Sequence, residues 1–294
     1  MRLRRTAVPV LALLVLTGCG SSSGTSTSAG SPAASSAASN SAQSGDSDAL
    51  VQAATAKTTA TSSKLTLTSR TQLGGQDVAF VGKGGYDYAA KKGTFSFQLP
   101  KGAGGGTIEE RLIGNALYLS LPQQKGAFYK VGLDQVAGTS LSSTTDPAAP
   151  LEVLKALKGA KKQGTEQVRG VTATKYTGTI NVKDALAQSG GASKQLLQNS
   201  FGKLGVTSFP VTVYLDDQGR VVKYSQVLDL PNGLKSTTSL EVYDFGAPVS
   251  VTAPPAAAVR DGAPLIAALK SAAGRAKGGA PGGAKPAPVA SPTP

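Results

Sequence analysis

Ser200-Phe201-Gly202-Lys203 is an S-x-x-K tetrapeptide, a spacing in which a lysine can activate a serine nucleophile. The S-D-N and K-T-G elements that accompany such a pair are absent, and Lys175-Tyr176-Thr177-Gly178 interrupts the second of them. The tetrapeptide therefore reads as a helix end, with Gly202 near its stop and Lys203 in solvent. Two carboxylate doublets are present, Glu109-Glu110 and Asp216-Asp217. Neighbours on a strand point to opposite faces, so Glu109 and Glu110 cannot flank one scissile bond. Asp216-Asp217-Gln218-Gly219 is turn chemistry. The glycines from Gly102 to Gly106 lack a following Lys-Ser/Thr, so they form a hairpin tip and not a phosphate loop. The chain has no histidine and one cysteine, Cys19. That removes histidine acid–base chemistry, Ser-His-Asp and Cys-His pairs, His/Cys metal sites and any intrachain disulfide. No catalytic residue, cofactor or metal is implied, and the chain reads as no enzyme.

The thiol of Cys19 has another use. Arg2, Arg4 and Arg5 precede an apolar run from Ala7 to Leu16, and Leu16-Thr17-Gly18-Cys19 closes it. A run of about ten residues is half of what a spanning helix needs; with its basic start and small closing residues it is an export signal. This segment resembles a bacterial lipoprotein signal peptide with its lipobox. The resemblance implies cleavage after residue 18, a diacylglycerol on Cys19, and a lipid-anchored protein on the outer face of the cytoplasmic membrane. Two or three acyl chains give lasting attachment where one is marginal.

Residues 19–45 read as the lipidated cysteine and a flexible Ser/Ala/Gly/Thr linker, with a mean reach of about 25–30 Å. Residues 253–294 read as a disordered basic tail rich in Pro, Ala and Gly, with a short helix possible around Leu265–Lys270. The formal charge is +13, and five basic residues lie beyond Val259 against Asp261 alone. No basic, aromatic-bearing nucleic-acid motif accompanies that charge. Anionic lipid heads or wall polymers fit the tail better, and solubility fits equally well.

The body, residues 46–252, is long enough for one substantial core. Asp48 reads as the cap of a helix carrying Leu50, Val51 and Ala54. Strands follow. Leu65 and Leu67, then Phe95, Phe97 and Leu99, then Leu117, Leu119 and Leu121 alternate with polar residues. Short glycine-bearing turns join them as antiparallel neighbours. Asp146-Pro147 opens a helical stretch through Leu151, Val153, Leu154 and Leu157, with Gly159 as its stop. Strands are expected again at 166–168 and 172–180, Asn181 and Asp184 as a capping pair, and a helix beyond broken at Gly190-Gly191. A strand meander runs from Val211 to Phe245.

The stretches Gly170–Ile180 and Phe209–Lys223 carry a resemblance to actinobacterial lipoproteins of the LppX/LprG type, whose fold is similar to the lipoprotein carrier LolA. The resemblance implies an α+β fold: a strongly curved antiparallel sheet, a half-open barrel, with helices over its concave face. It implies a carrier of lipid or glycolipid acyl chains, and the chain is expected to be a monomer. The residues expected to line such a space are Phe95, Phe97, Leu117, Leu119, Leu154, Leu157, Leu186, Leu197, Phe201, Val211, Val213, Tyr224 and Val242. The alternative is a structural or signalling envelope lipoprotein whose surface binds a protein or an anionic wall polymer.

Overall fold

Apolar–polar alternation commits most of the chain to strands, and tight turns pair each strand with the next. The computed structural model describes residues 34–73, 76–101, 105–136, 149–190, 194, 197–198, 201, 205–230 and 233–277. Cys19 and its leader, Ser200, Lys203, Leu196 and Gly102 to Gly104 lie outside the described residues.

Six strands form a first meander: β1 Ser63–Leu73, β2 Gln76–Asp87, β3 Lys92–Gln98, β4 Thr107–Ile113, β5 Ala116–Ser120 and β6 Phe128–Gly132. Five form a second: β7 Leu157–Val168, β8 Val171–Asn181, β9 Ser208–Leu215, β10 Val221–Asp229 and β11 Lys235–Tyr243. The first strand of one meander joins the last of the other, with Leu65 opposite Val242 and Leu67 opposite Leu240. A short β12, Val259–Asp261, pairs parallel to β6 at the margin. The order is β12-β6-β5-β4-β3-β2-β1-β11-β10-β9-β8-β7, one open sheet of the α+β class whose edges are β12 and β7. Sheets this wide curl instead of lying flat, and the fold is a half-open barrel. β2 supplies one bend. An added Cβ on Gly82 would stand 2.4 Å from Phe97 Cε1, and one on Gly84 2.3 Å from Phe95 Cδ1. Only glycine lets the two rings lie on the β2 backbone, a known device for curving a sheet.

β6 lies toward one margin of the sheet and β7 at the other, and described residues on both sides of the connection between them reach the inner face. Val136 after β6 and Leu151, Val153 and Leu154 before β7 are buried in the main apolar cluster. Helix α1 (Ala34–Thr58), α2 (Ala149–Glu152) with the 3-10 turn Val153–Ala156, α3 (Val182–Gln188) and α4 (Ala263–Lys277) complete the inner layer. α1 packs on β7, β9, β10 and the 3-10 turn. It buries Val51, Ala54, Thr55 and Thr58, one stripe at helical spacing.

Several expectations are corrected. α1 begins at Ala34, inside the segment read as linker; no Gly or Pro interrupts the sequence from residue 34 to residue 44. Asp48 therefore lies inside α1, and its carboxylate accepts from the backbone N–H of Ala160 at 2.6 Å and Gly159 at 3.2 Å. Leu50 is exposed. The helix expected to reach Leu157 ends at Ala156, and Leu157 opens β7 opposite Ile180. The 253–294 segment is folded as far as Lys277. β12 extends the sheet, Ile266 is buried, and a Cβ on Gly262 would meet Val131 Cγ2 at 2.3 Å. The Asn181 cap holds, its side chain accepting from the N–H of Lys183 and Asp184. Asp216 plays the expected turn role, accepting from the N–H of Gln218 and Arg220.

Candidate functional site

The inner face is built strand by strand from alternate residues. On β3 it shows Phe95 and Phe97, above Gly84 and Gly82 of β2. Phe80 stacks on Phe97 with centroids 5.3 Å apart, Phe95 follows at 6.2 Å, and Tyr86 lies 6.4 Å from Phe95. These four rings form an aromatic shelf over the glycines. Beside it β4 presents Leu112, β5 presents Leu117 and Leu119, and β6 presents Val131, all buried. β4 also presents Glu110, opposite Phe95 and Leu119 and 1% exposed, while Glu109 faces solvent. The doublet is split between faces as a strand requires.

Across the sheet, β9 contributes Val211 and Val213, β10 Tyr224 and β11 Val242, each 3% exposed or less. Burial pushes the Tyr224 hydroxyl well above the ordinary phenol range, and it donates to the Gln226 side chain. Leu154 of the 3-10 turn and Leu157 at the start of β7 close this end. Phe201 stacks on Phe209 at 4.8 Å, Leu197 is buried, and Leu186 of α3 is partly buried against the cluster. The residues expected to line a cavity thus share the inner layer, and all but Leu119 belong to or pack against one apolar cluster. The glycine–aromatic shelf and the inward Glu110 were not anticipated. The shelf was legible in Phe80, Gly82, Gly84, Phe95 and Phe97, whose matching parity across a tight hairpin is visible before folding.

The opposite face is polar and cross-linked. Lys175 pairs with Glu166 at 2.7 Å. That hydrogen bond holds the Glu166 carboxyl below its usual range and the Lys175 ammonium above its own. Two clefts, of 480 and 420 Å³, lie on this outer face and share Tyr243 at their border. Of the residues expected to line a cavity, only Val242 touches either. No helix among the described residues is long and apolar enough to cross a membrane.

No family model matches the chain. It is similar to an uncharacterized 31.2 kDa protein in the rplA-rplJ intergenic region of Streptomyces griseus, 25% identical over 182 residues, which is 56% of this chain and 59% of that one. The chain thus spans about three fifths of the length of the curated relative it matches. The resemblance read from the sequence returns among solved structures. The fold is similar to that of LprF from Mycobacterium bovis, with 15% identity and a TM-score of 0.48 over 71% of this chain and 97% of that one. It is similar also to the Mycobacterium tuberculosis lipoprotein LppX, with 18% identity and a TM-score of 0.45 over 71% and 99%.

Proposed function

We propose that this chain is a membrane-anchored, non-catalytic lipoprotein that binds or carries an acyl chain of a lipid or glycolipid at the outer face of the cytoplasmic membrane. One observation carries the reading: a single apolar cluster extends beneath both meanders, and among the described residues four separate helical elements, α1, α2 with its 3-10 turn, α3 and α4, cover it. α2 with its 3-10 turn and α3 are short, and pieces of that length can part to admit a chain at the cost of few contacts each. Acyl chains bind by area, at about 25 cal/mol per Å² of apolar surface removed from water. The aromatic shelf and the leucines of β4 and β5 offer that surface. The lipobox at Cys19 supports the address, because a cargo with such chains must be collected at a bilayer.

Organic extracts of a Cys19→Ser chain, exported and purified from an actinobacterial host, provide the test. Mass spectrometry is expected to find one lipid species or class at near-equimolar amount. Consistent absence of lipid, with the inner face fully packed in an experimental structure, refutes the proposal.

A further inference from the structure

Among the described residues three non-glycines adopt left-handed backbone, and two of them, Arg169 (φ 50) and Asp244 (φ 50), border the same 480 Å³ cleft on the outer face. Such backbone costs energy in a residue with a side chain, and it persists where the surroundings hold it. Arg169 and Gly170 form the two-residue turn between β7 and β8, a place that Asn or Gly normally fills. The arginine is held by what it touches. Its guanidinium lies 3.9 Å from the Tyr243 ring centre, Nε donates to Glu241 Oε2 at 2.7 Å, and Nη2 donates to Thr66 Oγ1 at 3.2 Å.

A second arginine reaches the cleft from another turn. Arg220 follows the β9–β10 turn and lies 4.0 Å from the Phe245 ring centre. Its Nε and Nη2 donate to Asp216 Oδ2 at 2.8 and 2.7 Å. Asp244 is engaged by Lys64 at 2.8 Å. Each carboxylate bordering the cleft already has a cation, and neither arginine uses its Nη1 group in these bonds. Val168 and Val222 form a buried apolar floor, while Val171 is 44% exposed.

We propose that this cleft binds a small amphiphilic oxyanion, a carboxylate or phosphate monoester on a short apolar body. The Nη1 edges of Arg169 and Arg220 take the oxyanion, and Val168, Val171 and Val222 take the body. Both guanidinium planes are fixed by stacking and pairing before the ligand arrives, so little side-chain freedom is lost on binding. Hydrogen bonds from a charged donor to a charged acceptor are the strong kind. The fixed charges bordering the cleft are nearly balanced. Capture therefore depends on directed donors together with apolar contact, and an anion without a body or a body without an anion is held poorly. This site lies on the opposite face of the sheet from the proposed acyl-chain layer and is independent of it.

The test titrates benzoate, phenyl phosphate, inorganic phosphate and benzyl alcohol into the full soluble chain, followed by calorimetry and backbone amide shifts. Saturable shifts confined to residues 168–171, 220–222 and 243–245 are expected with benzoate or phenyl phosphate, and the tighter of the two names the oxyanion. Inorganic phosphate and benzyl alcohol are expected to bind at least tenfold more weakly. Arg169→Gln is expected to cost at least tenfold in affinity. Val171→Glu, at an exposed hairpin tip where folding is indifferent to the change, is expected to cost the same. Retained binding in both variants, equal binding of benzyl alcohol, or shifts centred on Phe95 and Leu117 would each overturn the proposal.

Discussion

Replacing Thr58 by valine tests how the helical layer is fastened over the inner face. β10 is irregular between Val221 and Lys223, where an extra residue enters the strand opposite β9. A bulge of this kind takes backbone groups out of the ladder. The N–H of Val221 is instead received by Thr58 Oγ1 of α1 at 2.8 Å, and the same hydroxyl donates to Ala54 O at 2.7 Å. Thr58 and Val221 are both 0% exposed, so water cannot replace the lost acceptor. Valine keeps the shape and removes the oxygen. The cost is that of a buried unsatisfied donor, about 1–3 kcal/mol. For a body near two hundred residues, that lowers Tm by roughly 2–12 °C. Calorimetry and urea unfolding measure it, with an unchanged m-value showing that the denatured state is not at fault. Thr58→Ser restores the oxygen and loses one methyl, so it should recover all but about 1 kcal/mol. Hydrogen exchange at Val221 should quicken in the valine variant and not in the serine one. If Thr58→Val unfolds within about 0.5 kcal/mol of the parent, the bond is not what fastens α1 to β10.

Two further outcomes follow from the outer face and the margin. The Glu166 carboxyl is held below its ordinary value of 4.5, chiefly by the Lys175 hydrogen bond; a depressed folded pKa contributes stability above the unfolded value that is lost as pH falls through the folded one. The Tm gap between the parent and Lys175→Met should thus be present at neutral pH and close as pH drops below 4.5, and a gap independent of pH from 3 to 7 would refute the coupling. Truncation after Lys277 should leave Tm unchanged, whereas truncation after Val251 removes β12 and α4, uncovers Val131 and should lower Tm; equal stability of the two forms would show that β12 and α4 do not belong to the folded body.

How far the fold could be read beforehand follows from where the information resides. Phe95, Phe97, Leu117, Leu119, Val211 and Val213 alternate with polar neighbours because one face of each strand is buried, and that pattern is local. The Asn181 cap and the Asp216 turn are local too. β7 is different. From Lys161 to Gln167 every residue is exposed, so this edge strand has no alternation to betray it, and its lysines instead discourage pairing with another sheet. Its start at Leu157 depends on Asp48 and Gln52, about a hundred residues earlier, which bind the backbone of Leu157, Gly159 and Ala160. An aspartate before an apolar run signals a cap only if the helix begins there; once α1 starts at Ala34, the same side chain is free for a long-range duty. β12 is three residues long, and composition alone reads it as tail.

The two faces of the sheet explain why one candidate site was foreseeable and the other was not. Most strands contribute alternately to an apolar interior and a charged exterior, so register decides which chemistry each residue joins. Val222 illustrates the point. An unbroken strand would carry it inward with Tyr224; the bulge turns it outward beside Lys223, where it joins Val168, Ala173 and Tyr214 in a second small cluster. That cluster is the footing of the arginine cleft. Apolar residues at expected positions predict the inner layer from sequence, because burial and period coincide. The outer cleft needs a bulge, two tight turns and the end of β11 to arrive together. Its polar residues, read singly, are turn and surface residues. Only their stacking on Tyr243 and Phe245, and the left-handed backbone accepted at Arg169, distinguishes them from a solvated rim.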